Sequence, residues 1–162
     1  MLTLGLRHEL VALGTPLGDV LVVETLGERD EPGGAGATPR GSGHLTGAAL
    51  EPLLEADPRI CAVDASGGTT NAGIVDDLAS VVETAHRHGA WVHVDGAYGG
   101  AALASPSARA RFAGIEQADS FIVDPHKWLF APYDCCALLY RDARPAAAAH
   151  SQHAAYLDSI DR

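Results

Sequence analysis

Three side chains that could do chemistry lie directly after apolar, strand-like runs of the chain. Lys127 is the only lysine in the 162 residues and follows the run SFIVD, inside Asp-Pro-His-Lys-Trp at 124–128. Asp95 ends the run AWVHVD, and Thr70 lies in the glycine-rich stretch 66–73 that follows another apolar run. A lysine amine can form an imine with a carbonyl compound, and a nearby carboxylate can stabilise positive charge on the reacting group.

The elements that must position these residues alternate along the chain. The sequence predicts strands at 20–24, 60–64, 90–95, 119–124 and 135–140, and helices at 45–56, 74–88, 105–112 and from 145 onward. Residues 27–43 are rich in glycine and proline and predict a loop or disordered insert. Strands separated by helices indicate parallel βαβ units with right-handed crossovers. Parallel strands end at one edge of the sheet, so Thr70, Asp95 and Lys127 are expected to converge there.

Polar residues mark the ends of the two clearest helices. Thr46 is a predicted N-cap for the helix at 45–56. Asp76 and Asp77 are predicted at the positive end of the helix at 74–88. His86 and His88 lie at its negative end, and there we interpret them as helix-end cations rather than metal ligands.

Composition restricts the class of protein. A chain of this length with 47% hydrophobic and 20% charged residues predicts one globular domain with no membrane span and no signal peptide. Its net charge of −10 argues against nucleic acid and anionic membrane surfaces as partners. Cys61, Cys135 and Cys136 form neither a disulfide framework nor a CxxC zinc pattern, so we expect free thiols in the cytoplasm, with Cys61 and Cys136 buried.

The candidate residues favour one cofactor over other chemistries. The glycine-rich stretch lacks the GxxxxGK[ST] order of a phosphate-binding loop, and no GxSxG motif is present. A lysine and a carboxylate at neighbouring strand ends are what pyridoxal phosphate needs. A metal-dependent hydrolase that uses His93, Asp95 and His126 remains an alternative, although such a site has no use for Lys127.

Three blocks of the sequence carry a family resemblance. DASGGTTNAGIVDD, WVHVDGAYGG and ADSFIVDPHKWLFAPYDCCALLY resemble consecutive signatures of the group II pyridoxal-phosphate-dependent amino-acid decarboxylases, and they cover about residues 60–142. The resemblance implies an α/β fold that is part of the large domain of fold type I (aspartate-aminotransferase-like) enzymes, with a mostly parallel sheet flanked by helices. The family includes decarboxylases of aromatic amino acids, glutamate, cysteine sulfinate and diaminobutyrate, and the HKW block is most similar to the aromatic branch.

The resemblance also implies roles for individual residues. Lys127 would form the Schiff base with the cofactor, and we expect desolvation to lower the pKa of its amine. Asp95 would bond to the protonated ring nitrogen, and Ala97 would pack against one face of the ring. Thr70 would lie near the edge of the ring.

Three further cofactor contacts rest on the resemblance. His126 and Asp124 would lie near the phosphate, although Asp124 departs from the asparagine common in the aromatic branch. His8 precedes Leu17-Gly18 by nine residues, as does the family's ring-stacking histidine. Leu10, however, replaces the usual serine.

Other side chains near these blocks are expected to support the site or the packing. His93 shares a strand face with Asp95 and is interpreted as a hydrogen-bonding support rather than a ligand. Trp128, Phe130 and Tyr133 are interpreted as core or dimer-interface packing.

The family's enzymes are about three times this length. We therefore expect residues 1–162 to be a partial cofactor-binding domain, without the N-terminal segment and the C-terminal small domain. The resemblance implies a homodimer that converts an L-amino acid to an amine and CO2. We expect the chain to be a fragment of such an enzyme that is inactive by itself. The alternatives are a truncated non-catalytic relative and the metal hydrolase.

Overall fold

The computed structural model describes the backbone of residues 19–22 and, further along the chain, residues 43–150. It has strands β1 Asp19–Val22, β2 Ile60–Ser66, β3 Trp91–Asp95, β4 Ser120–Val123 and β5 Ala137–Tyr140, with helices α1 Gly47–Ala56, α2 Leu78–Arg87 and α3 Ala143–His150. Three 3-10 helices, Gly99–Ala104, Arg109–Phe112 and Ile115–Gln117, join β3 to β4. No helix in the described part is long and apolar enough to cross a membrane. His8, most of the predicted insert at 27–43 and the chain after residue 150 lie outside the described residues.

The five strands form one sheet in the order β1-β2-β3-β4-β5. The first four strands are parallel to their neighbours, whereas β5 returns antiparallel to β4. Helix α1 connects β1 to β2, and α2 connects β2 to β3, as the alternating pattern predicts. The mostly parallel α/β architecture is confirmed, and the carboxyl ends of β2, β3 and β4 meet at one edge.

Helices α1 and α2 pack against each other and against one face of the sheet. Gly47 permits their close approach, because a Cβ there would collide with the backbone of Ser80. The core between helices and sheet is built from buried aliphatic side chains: Leu50, Leu54, Val63, Ala65, Leu78, Val81, Val82, Ala85, Val92 and Val94. Each valine or leucine fully buried here stabilises the fold by about 1.5–3 kcal/mol. The packed core therefore fixes β2 and β3, and with them the edge of the sheet where their carboxyl ends lie.

The start of α2 differs from the sequence-based prediction. The helix begins at Leu78 rather than at residue 74, and Asp77 is its N-cap, accepting a hydrogen bond from Ser80 N. Asp76 is 2% exposed, and its carboxylate accepts hydrogen bonds from Leu45 N at 2.7 Å and Ser66 N at 2.6 Å. A carboxylate that satisfies two distant backbone donors fixes the chain in a non-helical conformation, so the helix starts later.

Other element predictions need smaller corrections. Thr46 does cap α1, accepting a hydrogen bond from Ala49 N at 3.3 Å. The helix predicted at 105–112 is instead a bend and turn at 105–108 followed by the 3-10 helix Arg109–Phe112. Cys61 is half-buried and Cys136 is exposed, so the expectation that both are buried is wrong. Cys136 precedes β5 rather than lying inside it, because β5 begins at Ala137.

Asp119, directly before β4, connects to β3, to α2 and to the residue after β5. It lies at the edge of the sheet opposite the carboxyl ends of β2, β3 and β4. Its carboxylate accepts hydrogen bonds from Val92 N at 2.8 Å, from Arg141 at 2.6 Å and, when the imidazole donates, from His86 at 2.9 Å. Burial raises the pKa of Asp119, but these hydrogen bonds outweigh burial and leave its pKa below the ordinary value. His88 similarly contacts Glu51 of α1 at 2.9 Å. Both histidines therefore contact carboxylates at the end of α2, and among the described residues neither belongs to a group arranged to hold a metal ion.

Asp119 should give the fold a specific sensitivity to acid. A carboxylate whose pKa is lower in the folded state stabilises the fold above its unfolded pKa of about 3.9, and that stabilisation is lost as the pH falls through the folded pKa. Replacing Asp119 by asparagine should cost about 1–3 kcal/mol at pH 7 and flatten the pH dependence below pH 4. Urea unfolding of both proteins at several pH values measures this. An unchanged acid dependence in the variant would contradict the assignment.

Candidate active site

Three loops that follow β2, β3 and β4 are joined directly by backbone hydrogen bonds. Gly67 N donates to Asp95 O at 2.7 Å, and Gly99 N donates to Gly68 O at 3.2 Å. On the other side, Asp124 N donates to Ala97 O at 3.1 Å. The predicted convergence of the segments that carry Thr70, Asp95 and Lys127 is therefore present in the fold.

The contact between the first two loops requires glycine on both sides. Gly68 has φ +117°, a conformation that L side chains rarely adopt. A Cβ on it would lie 2.7 Å from Gly99 Cα, and a Cβ on Gly99 would lie 2.6 Å from Gly68 O. The small residues that follow β2 and β3 thus bring the backbones together.

Lys127 lies in a tight turn after β4 and contacts Asp124. Its Nζ is 2.8 Å from Asp124 Oδ2, and the two residues also share a backbone hydrogen bond from Lys127 N to Asp124 O at 3.0 Å. The Lys127 side chain is 41% exposed, whereas that of Asp124 is 13% exposed. The carboxylate is thus fixed against the protein, and the amine reaches it from the solvent side.

The pKa of Lys127 differs from the sequence-based expectation. The hydrogen bond to Asp124 raises the pKa of the amine above its ordinary value, and the weaker opposing effect is desolvation. The negative charges of Asp124 and Asp95 raise it further. The expectation that desolvation lowers this pKa is wrong for this structure, because two carboxylates face the amine and its side chain is partly exposed.

Asp95 presents an exposed carboxylate at the end of β3. Its Oδ1 accepts a hydrogen bond from Ala97 N at 2.9 Å, which fixes the side chain across the turn. Its Oδ2 has no hydrogen-bond donor among residues 43–150. Ala97 is half-buried beside it. Within the part of the chain that the structure describes, one oxygen of Asp95 is thus held in place and the other is open to a ligand.

Thr70 lies in the loop after β2, but its neighbour Thr69 organises that loop. Thr69 Oγ1 accepts from Ile74 N at 3.1 Å, and Thr69 O accepts from Gly73 N at 2.8 Å. Thr70 is exposed at the tip of the resulting turn. Its hydroxyl contacts neither Asp95 nor Lys127 in the described structure, so a role at the cofactor ring stays a prediction.

His126 is anchored to the segment that returns toward β5. Its Nδ1 is 2.6 Å from Cys135 O and 3.2 Å from Cys135 N. The first contact needs a protonated Nδ1 and the second an unprotonated one, so the tautomer decides which bond forms. Either bond fixes the ring plane and leaves Nε2 for another partner.

His93 belongs to a hydrogen-bonded group that the sequence prediction only partly found. His93 Nδ1 is 2.8 Å from Ser120 Oγ, and Trp91 Nε1 donates to the same oxygen at 3.0 Å. Burial lowers the pKa of His93, although Asp95 opposes the shift. The interpretation of His93 as a hydrogen-bonding support agrees with this geometry. Ser120 was missed, but the pairing of His93 with Ser120 in adjacent strands follows from the sheet register.

Two aromatic rings link the loops that carry Asp95 and Lys127. Tyr98 and Trp128 stack with ring centroids 5.7 Å apart and planes 8° apart. Trp128, Phe130 and Tyr133 are 46%, 83% and 83% exposed, so their interpretation as core residues is wrong within the described structure. Phe130 also adopts φ 57°, which is unusual for a non-glycine residue.

The metal-hydrolase alternative gains no support from the geometry. Within residues 19–22 and 43–150, no group of three or more histidine, cysteine, aspartate or glutamate side chains is arranged to hold a metal ion. His93 and His126 instead bond to Ser120 and Cys135.

Comparison with known proteins decides the family. A protein-family model described as "Pyridoxal-dependent decarboxylase conserved domain" matches residues 39–161 of the chain. The chain belongs to this family. As a pyridoxal-dependent decarboxylase domain, it is 44% identical over 82 residues to an aromatic-L-amino-acid decarboxylase from Bacillus atrophaeus, a match that covers 51% of this chain and 17% of the relative. It is 43% identical over 101 residues to the acidic amino acid decarboxylase GADL1 of Xenopus tropicalis, covering 62% and 20%.

Solved structures of decarboxylases share its fold. The Oryza sativa enzyme TDC, solved with PLP and tryptamine, gives a TM-score of 0.68 at 35% identity over 75% of this chain and 26% of that one. Mouse CSAD in its apo form gives 0.65 at 34% identity, over 70% and 25%. The decarboxylase domain described here is therefore a fold type I domain, as predicted. The matched residues span only 17–26% of the length of these relatives.

The residues at the site edge fit pyridoxal phosphate, the cofactor of the family. Lys127 supplies a primary amine that reaches solvent, and Asp95 supplies a carboxylate with one open oxygen. Ala97 lies beside Asp95 and adds only a methyl group, which leaves room for a flat ring. An amine for covalent attachment and a carboxylate for a ring nitrogen form the donor set that this cofactor uses.

Proposed function

We propose that the protein containing these residues decarboxylates an L-amino acid to the corresponding amine and CO2, with pyridoxal phosphate attached to Lys127. The observation that carries this proposal is the convergence of Lys127 and Asp95 on one sheet edge in a chain of the decarboxylase family. When bound, the cofactor takes up the electron pair that remains as CO2 departs.

The residues of the chain have distinct tasks in this proposal. Lys127 Nζ would hold the cofactor through a covalent bond to its aldehyde carbon. Asp95 Oδ2 would accept a hydrogen bond from the ring nitrogen and favour its protonated form, while Oδ1 stays fixed by Ala97 N. His126, Asp124 and Thr70 supply further polar contacts, and His8 is a further candidate.

Several finer statements also remain proposals. We propose a homodimer, in which exposed aromatic side chains such as Phe130 and Tyr133 would be covered. The residues here form part of the cofactor-binding domain, so we expect the isolated 162-residue chain to be inactive. The similar identities to aromatic and acidic amino-acid decarboxylases leave the choice of substrate to experiment.

Trapping the cofactor on Lys127 tests this function. Pyridoxal phosphate followed by borohydride should label Lys127, as detected by peptide mapping, and the Lys127→Ala protein should carry no label there. Its decarboxylase activity should fall by roughly 10³-fold or more, since the covalent step is lost. Lys127→Arg, which keeps the positive charge, is the matched control and should fail equally. The function is contradicted if Lys127→Ala traps as much cofactor in total and decarboxylates as fast as the wild-type protein. Labelling of Lys127 in a wild-type protein that decarboxylates no amino acid would favour a non-catalytic relative.

A further inference from the structure

The pairing of Lys127 with Asp124 carries a consequence beyond cofactor attachment. Lys127 Nζ lies 2.8 Å from Asp124 Oδ2, so the amine is held as an ammonium group by a carboxylate from its own turn. An ammonium group has no lone pair and cannot attack a carbonyl carbon. The group that binds the lysine in this structure therefore also suppresses its reactivity.

We propose that Asp124 is a positioning residue that holds Lys127 as an ammonium group whenever the lysine is not attached to a carbonyl carbon, and so sets the pH range in which the lysine reacts. This inference rests on the proposed function, because it assumes that Lys127 is the residue that reacts. Forming the attachment then requires one proton to pass from Nζ to solvent before the C–N bond forms, and the carbonyl oxygen departs as water with the two remaining amine protons. When the lysine is released again, Asp124 is the nearest carboxylate to receive the regenerated ammonium group.

Asp124 is suited to this task by its own contacts. Its backbone N–H donates to Ala97 O at 3.1 Å, and its side chain is 13% exposed, so the carboxylate cannot swing away freely. The hydrogen bond with Lys127, followed by the Lys127 charge and a hydrogen bond from Cys136, lowers the pKa of Asp124 against the opposing effect of burial. The carboxylate thus stays ionised and remains a partner for the ammonium group.

The other charged and titratable groups around the amine do not replace Asp124. Asp95, at the end of β3, acts on Lys127 through its charge, whereas its Oδ1 is bonded to Ala97 N. Cys136 lies on the segment before β5 and forms a hydrogen bond with Asp124 rather than with the Lys127 amine. His126 bonds to Cys135. Among the residues that the structure describes, Asp124 is the only one of these groups that forms an ion pair with the Lys127 amine.

The pH dependence of Lys127 acylation tests the inference without cofactor or activity. The full-length protein is treated with a neutral amine-acylating reagent from pH 6 to 11, and acetylation of Lys127 is followed by peptide mapping. In Asp124→Asn the midpoint should move to lower pH, and the rate at pH 8 should rise about two- to five-fold, the size expected of a partly exposed ion pair. Asp134→Asn removes an exposed carboxylate from the same segment and should leave the profile unchanged.

The outcomes separate this inference from the proposed function. If Asp124→Asn and the wild-type protein share one acylation profile, Asp124 does not control the amine and the inference is wrong, even if pyridoxal phosphate still labels Lys127. If acylation shifts as expected, the pH profile of borohydride trapping should shift with it. A trapping profile that stays fixed would also overturn the inference, while a lack of trapping at every pH in the wild-type protein would reject the function itself. Circular dichroism confirms that the isosteric variant is folded.

Discussion

Replacing Asp95 by asparagine is expected to lower decarboxylation by about 10²–10³-fold, with Lys127 still able to attach the cofactor. Asp95 Oδ1 is fixed by Ala97 N at 2.9 Å, and asparagine can keep that bond through its amide oxygen. What it loses is the negative charge that would keep the ring nitrogen protonated. The effect should therefore fall on the rate of CO2 release and much less on the amount of cofactor trapped.

Two comparisons make the Asp95 prediction specific. Asp95→Glu keeps the charge on a longer side chain and should recover part of the lost rate. Asp134→Asn removes an exposed carboxylate elsewhere in the chain and should leave the rate close to that of the wild-type protein. If Asp95→Asn decarboxylates at the wild-type rate while Lys127→Ala does not, Asp95 has no part in the chemistry and only the lysine assignment survives.

The convergence of the site loops was predictable because it follows from a rule about parallel strands. The strands predicted at 60–64, 90–95 and 119–124 must place the residues that follow them at one edge once the strands are parallel. The direct backbone contact between the Gly68 and Gly99 loops strengthens that rule. No side-chain contact had to be known in advance to place Asp95 and Lys127 together.

The ionisation of Lys127 could not be read in the same way. It depends on the direction of the Asp124 side chain, three residues earlier in a tight turn, and on the negative charge of Asp95 at the end of β3. The proximity of Cys136 to Asp124 depends on β5 running antiparallel to β4 with Val123 opposite Ala137. A short strand pattern gives neither the direction nor the register of its pairing.

Asp76 shows why the start of α2 was placed too early. The sequence favours Asp76 and Asp77 equally as acidic residues at a helix N-terminus, and only Asp77 has that role. Asp76 turns inward because it bonds to Leu45 N and Ser66 N, at sequence distances of 31 and 10 residues. These two hydrogen bonds to sequence-distant backbone groups outweigh the local preference of Asp76 for a helix N-terminus.

Replacing Asp76 by alanine should therefore be far more damaging than the same change at Asp77. It removes the acceptor of two backbone N–H groups that are buried or partly buried, at a cost of about 1–3 kcal/mol for each. The total of about 2–6 kcal/mol is a large fraction of the 5–15 kcal/mol typical of domain stability. Asp77→Ala removes only a helix cap and should cost about 0.5–2 kcal/mol.

Urea unfolding of the two variants measures the difference in their free energies of unfolding. The position of Ser66 predicts a second effect, on cofactor binding. Ser66 leads directly into the Gly67-Gly68 loop that contacts Asp95 O and Gly99 N. Loss of the Asp76 bond should therefore also weaken cofactor binding in protein that is still folded, whereas Asp77→Ala should not. Equal losses of stability in the two variants would mean that Asp76 acts only as a helix-end charge. A larger loss in Asp76→Ala would instead mean that a carboxylate far from the reacting atoms holds the loop after β2 against the loop after β3.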